Sequence, residues 1–247
     1  LLNLKKKNVI ITGSNGLLGQ QLIKVFNKLE ANTIAVDKNN SNNKNYFKCN
    51  LNNKQEVENL FKNLNKKYRT LDILINNAGV SIFTPFHKRT EKEIYLTNDT
   101  NINATIFCIN QFANYCKVNK TSKWKSIVNV SSIYSIISPD PRIYKTGDRK
   151  NSEIYGASKS AINQLTKYYA VHLAHKKIRV NGVLPGGIYN EKNPQSKNFI
   201  KQYSFRNPLK RMGMSNEIAN GIVFLSSNMS SYVTGHNLAI DGGMSAW

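Results

Sequence analysis

Tyr155 and Lys159 stand four residues apart in a stretch of helical character, so both side chains emerge on one face. A tyrosine titrating near ~10 is a poor proton shuttle at neutral pH. Lowering it by ~3 units takes about 4 kcal/mol of preferential stabilisation of the phenolate, and an adjacent ammonium supplies part of that. Oxidoreduction of an alcohol needs such a pair, although the pair alone also describes a solvated helix face. Ahead of it, Asn129, Val130, Ser131 and Ser132 close a β-branched run. They offer a hydroxyl at the carboxyl edge of a sheet, where open α/β folds bind ligands.

A second constellation suits a nucleotide. Thr12, Gly13, Ser14, Asn15, Gly16, Leu17, Leu18 and Gly19 follow an apolar run and precede a helical pattern. Glycines there permit a tight turn and close approach of backbone to a pyrophosphate, whose charge a helix N-terminus favours. Asp37 ends the next strand candidate, eighteen residues beyond Gly19, where a dinucleotide fold sets an acid on the adenosine ribose. A carboxylate repels a 2′-phosphate, so NAD is expected over NADP, with Lys38 beside it pulling the other way.

These groups need a layered scaffold to hold them. Strand candidates at 9–12, 33–36, 73–76, 127–130, 178–184 and 238–240 alternate with helical patterns. Leu18, Leu22, Val25, Phe26 and Leu29 form one such face, Val57, Leu60, Phe61 and Leu64 another, and Ile162, Leu165, Tyr169 and Leu173 a third. The alternation implies an α/β fold, a Rossmann-type doubly wound parallel sheet with helices on both faces. No linker or repeat divides the chain, so residues 1–247 are read as a single domain.

The 247 residues carry a formal charge of +21. The lysines are spread along the chain with abundant Asn, as at 39–45, which reads as a compositional background and not as a nucleic-acid patch. No apolar run approaches the ~18 residues of a membrane span, and the start lacks the apolar core of a signal peptide, so a cytoplasmic protein without membrane contact is expected. Cys49, Cys108 and Cys116 read as free thiols. His172 and His175 have no third ligand nearby, so no metal site is expected.

With Asn76–Asn77–Ala78–Gly79, Ser131–Ser132, Tyr155–Gly156–Ala157–Ser158–Lys159, Arg179–Val180–Asn181, Pro185–Gly186–Gly187 and Asp241–Gly242–Gly243 in this order, the chain resembles the short-chain dehydrogenase/reductases from Thr12 to Gly243. The resemblance implies an NAD(H)-dependent oxidoreductase interconverting a secondary alcohol and a carbonyl, with a small-molecule substrate of sugar type. Tyr155 is then the general acid/base, Lys159 lowers its pKa and holds the nicotinamide ribose, and Ser132 donates to the substrate oxygen, Ser131 being the alternative. Asn101 completes a proton relay, with Asn103 as the alternative. Cofactor contacts are implied for Gly13, Ser14, Asn15, Gly16, Leu17 and Gly19, for Asp37, Asn50 and Leu51, for Asn77, Ala78 and Gly79, and for Tyr155, Lys159, Pro185, Gly186 and Ile188. A substrate loop is implied at about 188–212, and a homotetramer or homodimer as the assembly.

Several departures from the family pattern stand out. The glycine loop reads GxxGxxG, usual in the longer epimerase and dehydratase branch, although the chain length favours the compact branch. Asn50 replaces a common Asp, and Asn190 a common Thr. Residues 138–152 lengthen the connection before Tyr155, either modifying substrate recognition or standing as a solvated insertion. This pattern is similar to reductases of flagellin-modification and surface-glycan gene clusters. Two rival readings remain at this point: a nucleotide-sugar epimerase or dehydratase with tightly held NAD, and a basic nucleic-acid-binding protein on a dinucleotide fold.

Overall fold

The structure is a computed structural model that describes residues 3–119 and 123–247. The apolar runs become β1 (Asn8–Thr12), β2 (Asn32–Asp37), β4 (Ile73–Asn76), β5 (Lys125–Val130), β6 (Ile178–Pro185) and β7 (Asn237–Ile240). A further strand, β3 (Tyr46–Lys48), adds an edge that the sequence did not reveal. Three residues beside an Asn/Lys stretch are too few to show a period, and β3 owes its place to pairing with β2, Ala35 opposite Tyr46. The strands are parallel in the order β3-β2-β1-β4-β5-β6-β7.

Alternate strand residues feed two separate apolar layers, as the period of two requires. Ile10, Ile34, Leu74, Ile127 and Val180 pack under α2 (Lys54–Lys67), α4 (Ala104–Asn119) and α5 (Glu153–Leu173), which follow α1 (Leu17–Lys28) and, between α2 and α4, α3 (Glu91–Asn98). Val9, Ile11, Ala35, Ile75 and Val183 pack under α1 and α7 (Ser215–Ser226). Each fully buried Val or Ile contributes about 1.5–3 kcal/mol of transfer free energy. With both faces covered, functional side chains gather at the strands' carboxyl ends. The doubly wound single domain read from the sequence is what forms.

Two local devices aim groups at that edge. Between α3 and α4 the helix opens into a π-turn, Asp99–Asn103, and the buried Asn101 sits inside it. Over the edge, residues 138–152 meet α6 (Lys197–Arg206) in a third apolar cluster of Ile143, Phe199, Tyr203 and Met212. Asp140 pairs with Arg206 on α6 at 2.9 Å. Arg149 donates to the carbonyls of Asn193 at 2.9 Å and Pro194 at 2.8 Å. The insertion is therefore anchored through Asp140, Ile143 and Arg149, while 145–147 stand exposed.

Candidate active site

Ser152 caps α5, its hydroxyl accepting from the Tyr155 N–H at 3.2 Å, so the helix begins just where the phenol must project. The end of β5 separates the two serines. Ser131 is buried with its hydroxyl committed to the Lys159 carbonyl at 2.9 Å. Ser132 turns the other way into the cleft, accepts from the Tyr134 N–H at 3.1 Å and reaches the Tyr155 phenol. Ser132 is thus the serine beside the tyrosine.

The Lys159 ammonium donates to the Val130 carbonyl at 2.8 Å and lies 5.7 Å from the Tyr155 ring centre. Desolvation among protein atoms pushes Lys159 down to about 8. The sequence reading had Lys159 lowering Tyr155, and here the structure differs. Desolvation prevails and raises the phenol above its ordinary value, with the Ser132 hydrogen bond the opposing influence. Asn101 is spent on the scaffold around them: its Nδ2 donates to Ser158 Oγ at 2.9 Å and to the Val80 carbonyl at 3.1 Å, while its Oδ1 accepts from the Val80 N–H at 2.8 Å. Asn103 instead donates to Asp99 at 2.8 Å, which separates the two candidates. A Cβ on Gly79 would come within 3.3 Å of both Asn101 Oδ1 and Lys159 Nζ, so Gly79 lies between them.

The nucleotide-side residues assemble as the motif required. A Cβ on Gly19 would stand 2.2 Å from the Gly13 carbonyl, and Gly13 has φ +63 with its Cβ position 2.8 Å from Ala78 Cα. Gly16 has room. Among the described residues no side chain caps α1 and none bonds the buried Ser14 hydroxyl, and the first turn of α1 holds no acid, which leaves its N–H groups open to an anion. Asp37 accepts from the Asn15 and Asn39 N–H groups, each at 3.0 Å, fixing its carboxylate against the loop. Asn77 Nδ2 donates to the Thr12 carbonyl at 2.9 Å, tying the 77–79 segment to the same strand end. This cradle fits a dinucleotide. Asn50 is exposed in a turn with Oδ1 accepting from the Asn52 N–H at 3.3 Å, and Leu51 is buried in the α2 layer. Leu17 is exposed at the start of α1, and Leu18 after it lines the cleft. Pro185, Gly186 and Ile188 close the far side, with Ile188 bridging Gly213.

Sequence reasoning missed the rest of the cleft. Tyr134, Tyr144, Asn151, Gln195 and Tyr203 line it along with Ser132, Tyr155 and Lys159. The Tyr203 hydroxyl accepts from the Gly187 N–H at 2.6 Å, and burial pushes it up to about 12. A Cβ on Gly187 would meet that ring at 2.9 Å, a close approach that the Gly186–Gly187 doublet permits. The doublet was the one signal in the sequence that something large packs there. Away from the cleft, Cys49, Cys108 and Cys116 are free and buried, His172 stacks on Tyr168 at 4.1 Å, and among the described residues no group of three or more His, Cys, Asp or Glu could hold a metal.

A family model described as enoyl-(acyl carrier protein) reductase matches residues 21–245. The chain is 31% identical over 258 residues to the 3-oxoacyl-[acyl-carrier-protein] reductase FabG of Rickettsia felis, covering 99% of each. It is 30% identical over 266 residues to the 5-keto-D-gluconate 5-reductase of Escherichia coli strain K12, covering 99% of this chain and 97% of that one. Among solved structures, a short-chain dehydrogenase from Leptospira borgpetersenii with bound NAD+ superposes with a TM-score of 0.91 at 34% identity, covering 98% of this chain and 94% of that one.

Proposed function

Because the chain belongs to the short-chain dehydrogenase/reductase family and is therefore an NAD(P)-dependent oxidoreductase, we propose that it interconverts a secondary alcohol and a carbonyl on a sugar-type substrate, preferring NAD(H). The observation that carries the chemistry is the meeting of Ser132, Tyr155 and Lys159 at one wall of the cleft. When bound, the nicotinamide supplies or accepts the hydride. Tyr155 exchanges the proton with the substrate oxygen, and the Ser132 hydroxyl donates to that oxygen as its charge develops. Lys159, charged at neutral pH, favours the phenolate that forms and holds the ribose hydroxyls. Asn101 acts through the backbone of Val80 and through Ser158, fixing the floor beneath them.

The 12–19 loop and the α1 N-terminus would hold the pyrophosphate, Asp37 the adenosine ribose, Asn50 and Leu51 the adenine edge, and 77–79 with 185–188 the remaining flanks. The fixed Asp37 carboxylate supports NAD over NADP, since a 2′-phosphate would meet like charge there. Residues 188–212 serve as the substrate loop. The kinship with a keto-gluconate reductase, and the hydroxyl and amide groups of Ser132, Tyr134, Tyr144, Asn151 and Gln195 along part of the cleft, support a sugar derivative. The test is NADH oxidation against a panel of oxo-sugars, oxo-acids of sugars and 3-oxoacyl thioesters. Stoichiometric NAD+ formation with an oxo-sugar upholds the reading, and redox-neutral isomerisation overturns it.

We further propose a cytoplasmic homodimer or homotetramer. Among the described residues no helix is long and apolar enough to cross a membrane. The outer face of α5 leaves Tyr168 and Val171 exposed, at 53% and 75% of their surface. Sedimentation at physiological salt tests the assembly, and a monomer that retains full activity overturns it.

A further inference from the structure

Two cavities meet at one tyrosine pair. The inner chamber, about 360 Å³, holds Ser132, Tyr155 and Lys159. The outer groove, about 940 Å³, runs past Phe86, Ile136 and Pro139 on the surface. Phe83, Tyr134, Tyr144 and Asn151 line both. Tyr144 belongs to the insertion, yet its hydroxyl meets that of Tyr134, next to Ser132 in the structure, at 3.0 Å. Its ring packs on Phe199 of α6 with centres 5.1 Å apart, and Phe199 packs in turn on Tyr203 at 5.7 Å. Burial raises the Tyr144 phenol above its ordinary value, so it remains a neutral donor and acceptor at physiological pH. The insertion that carries it is tied to α6 through Asp140 and Arg206.

We infer that Tyr144, paired with Tyr134, is the specificity-determining partition of this cleft, confining the substrate to a compact polyhydroxylated carbonyl compound and shutting out long acyl chains. The inference rests on the oxidoreductase reading above and deepens it. The partition brings polar groups to the chamber: the two phenols beside the Ser132 hydroxyl, and Asn151, whose Oδ1 accepts from the Ser81 hydroxyl. A polyhydroxylated substrate satisfies such groups as it displaces water from them. An alkyl chain would displace water from the hydroxyl proton and lone pairs that these internal bonds leave free and offer nothing in exchange, which a site built for hydrogen bonding penalises. The chamber, at the small end of ligand sites, is also bordered by Gly79, Lys159, Pro185, Gly186 and Ile188 on the cofactor side, so only part of its volume is left for a compact substrate. A long acyl substrate would need the outer groove, and the phenol pair stands across the way to it.

The experiment measures kcat/KM with NADH for a panel of ketohexoses and oxohexonates and for a 3-oxodecanoyl N-acetylcysteamine thioester, with calorimetric binding of NADH and of each carbonyl compound. Wild-type protein, Tyr144→Phe and Tyr144→Ala are compared. The expected result is a wild-type preference for the best sugar-type compound, a loss of about tenfold or more on it in Tyr144→Ala, and a gain on the thioester that shifts the ratio by about a hundredfold. Tyr144→Phe keeps the partition but loses a hydroxyl, so it costs the sugar substrate less than Tyr144→Ala does and leaves the thioester excluded. NADH affinity unchanged in both variants shows that the fold and the cofactor half are intact. A wild type that prefers the thioester, or a ratio that Tyr144→Ala does not move, overturns the inference. If the wild type binds the sugar compounds without turning any over and Tyr144→Ala loses that binding, the partition stands and the oxidoreductase reading falls.

Discussion

Asn15 meets Asp37 and Asn39 across only 22 and 24 residues of chain, and Gly13 and Gly19 on either side of it are confined by backbone atoms that no side chain can adjust. On the opposite wall, Ser81 meets Asn151 across 70 residues and Arg149 meets Pro194 across 45, with partly exposed side chains as the ties. Within the cofactor half the 13–39 segment is short-range and sterically fixed, and its long tie, from Thr12 and Gly13 to 77–78, is to a neighbouring strand end. The substrate half is a composite closed by polar clasps, of which Asp140 to Arg206 is one. Exposed pairs of that kind contribute at most about 1 kcal/mol each. The chemical centre lies between the two, on α5, so damage to either half should reach it by a different route.

The largest expected effect lies on that shared border. Tyr155→Phe should lower turnover by about 10² to 10⁴, the usual worth of a positioned acid/base. NADH affinity should stay within a few-fold of wild type. Retention of more than a tenth of the wild-type turnover would falsify the proton-transfer role.

Within the cofactor half, Asp37→Ala combined with Lys38→Arg removes the repulsion of a 2′-phosphate and adds a forked donor. The ratio of kcat/KM for NADPH over NADH should rise by about tenfold or more. A wild-type enzyme that already favours NADPH defeats the argument.

A pH profile examines the border again. Lys159 sits at about 8, so its ammonium is present below that pH and is lost as pH rises through it, while the raised Tyr155 still keeps its proton. Carbonyl reduction should therefore fall above pH 8 before the phenol titrates. A flat profile through that range separates Lys159 from the chemistry.

The smallest effect belongs to the clasp. Asp140→Asn removes the ion pairs with Arg206 and with the exposed Arg142, and stability should change by about 1 kcal/mol or less in denaturant titration. The substrate KM should rise a few-fold while the Kd for NADH holds. An equal change in both constants would mean that the two halves are not separate in the way their construction implies.

The same difference governs what the sequence could disclose. The glycine loop, Asp37, Tyr155 and Lys159 are local patterns, and each was readable because a few neighbouring residues suffice to define it. Ser132 was preferred to Ser131 on the family resemblance alone, since which of two adjacent side chains faces the cleft depends on how the strand ends. Asn101 was preferred to Asn103 on the resemblance and not on spacing, because a regular helical count fails across a π-turn. Tyr144 and Tyr203 carried no signal of their own, for their meeting depends on an insertion folding back on α6. The direction of the Tyr155 shift was also beyond reach, because it reflects how much protein surrounds the phenol.

The π-turn at Asp99–Asn103 also limits how the gene can change. An α-helix turns by about 100° per residue, so losing a single codon inside this turn would let the helix close up regularly and swing Asn101 away from Val80 and Ser158. The surface connections of the chain have no such register to keep. In-frame deletions should therefore accumulate in lineages at those connections and be purged here, at a stretch whose length matters as much as the identity of its residues.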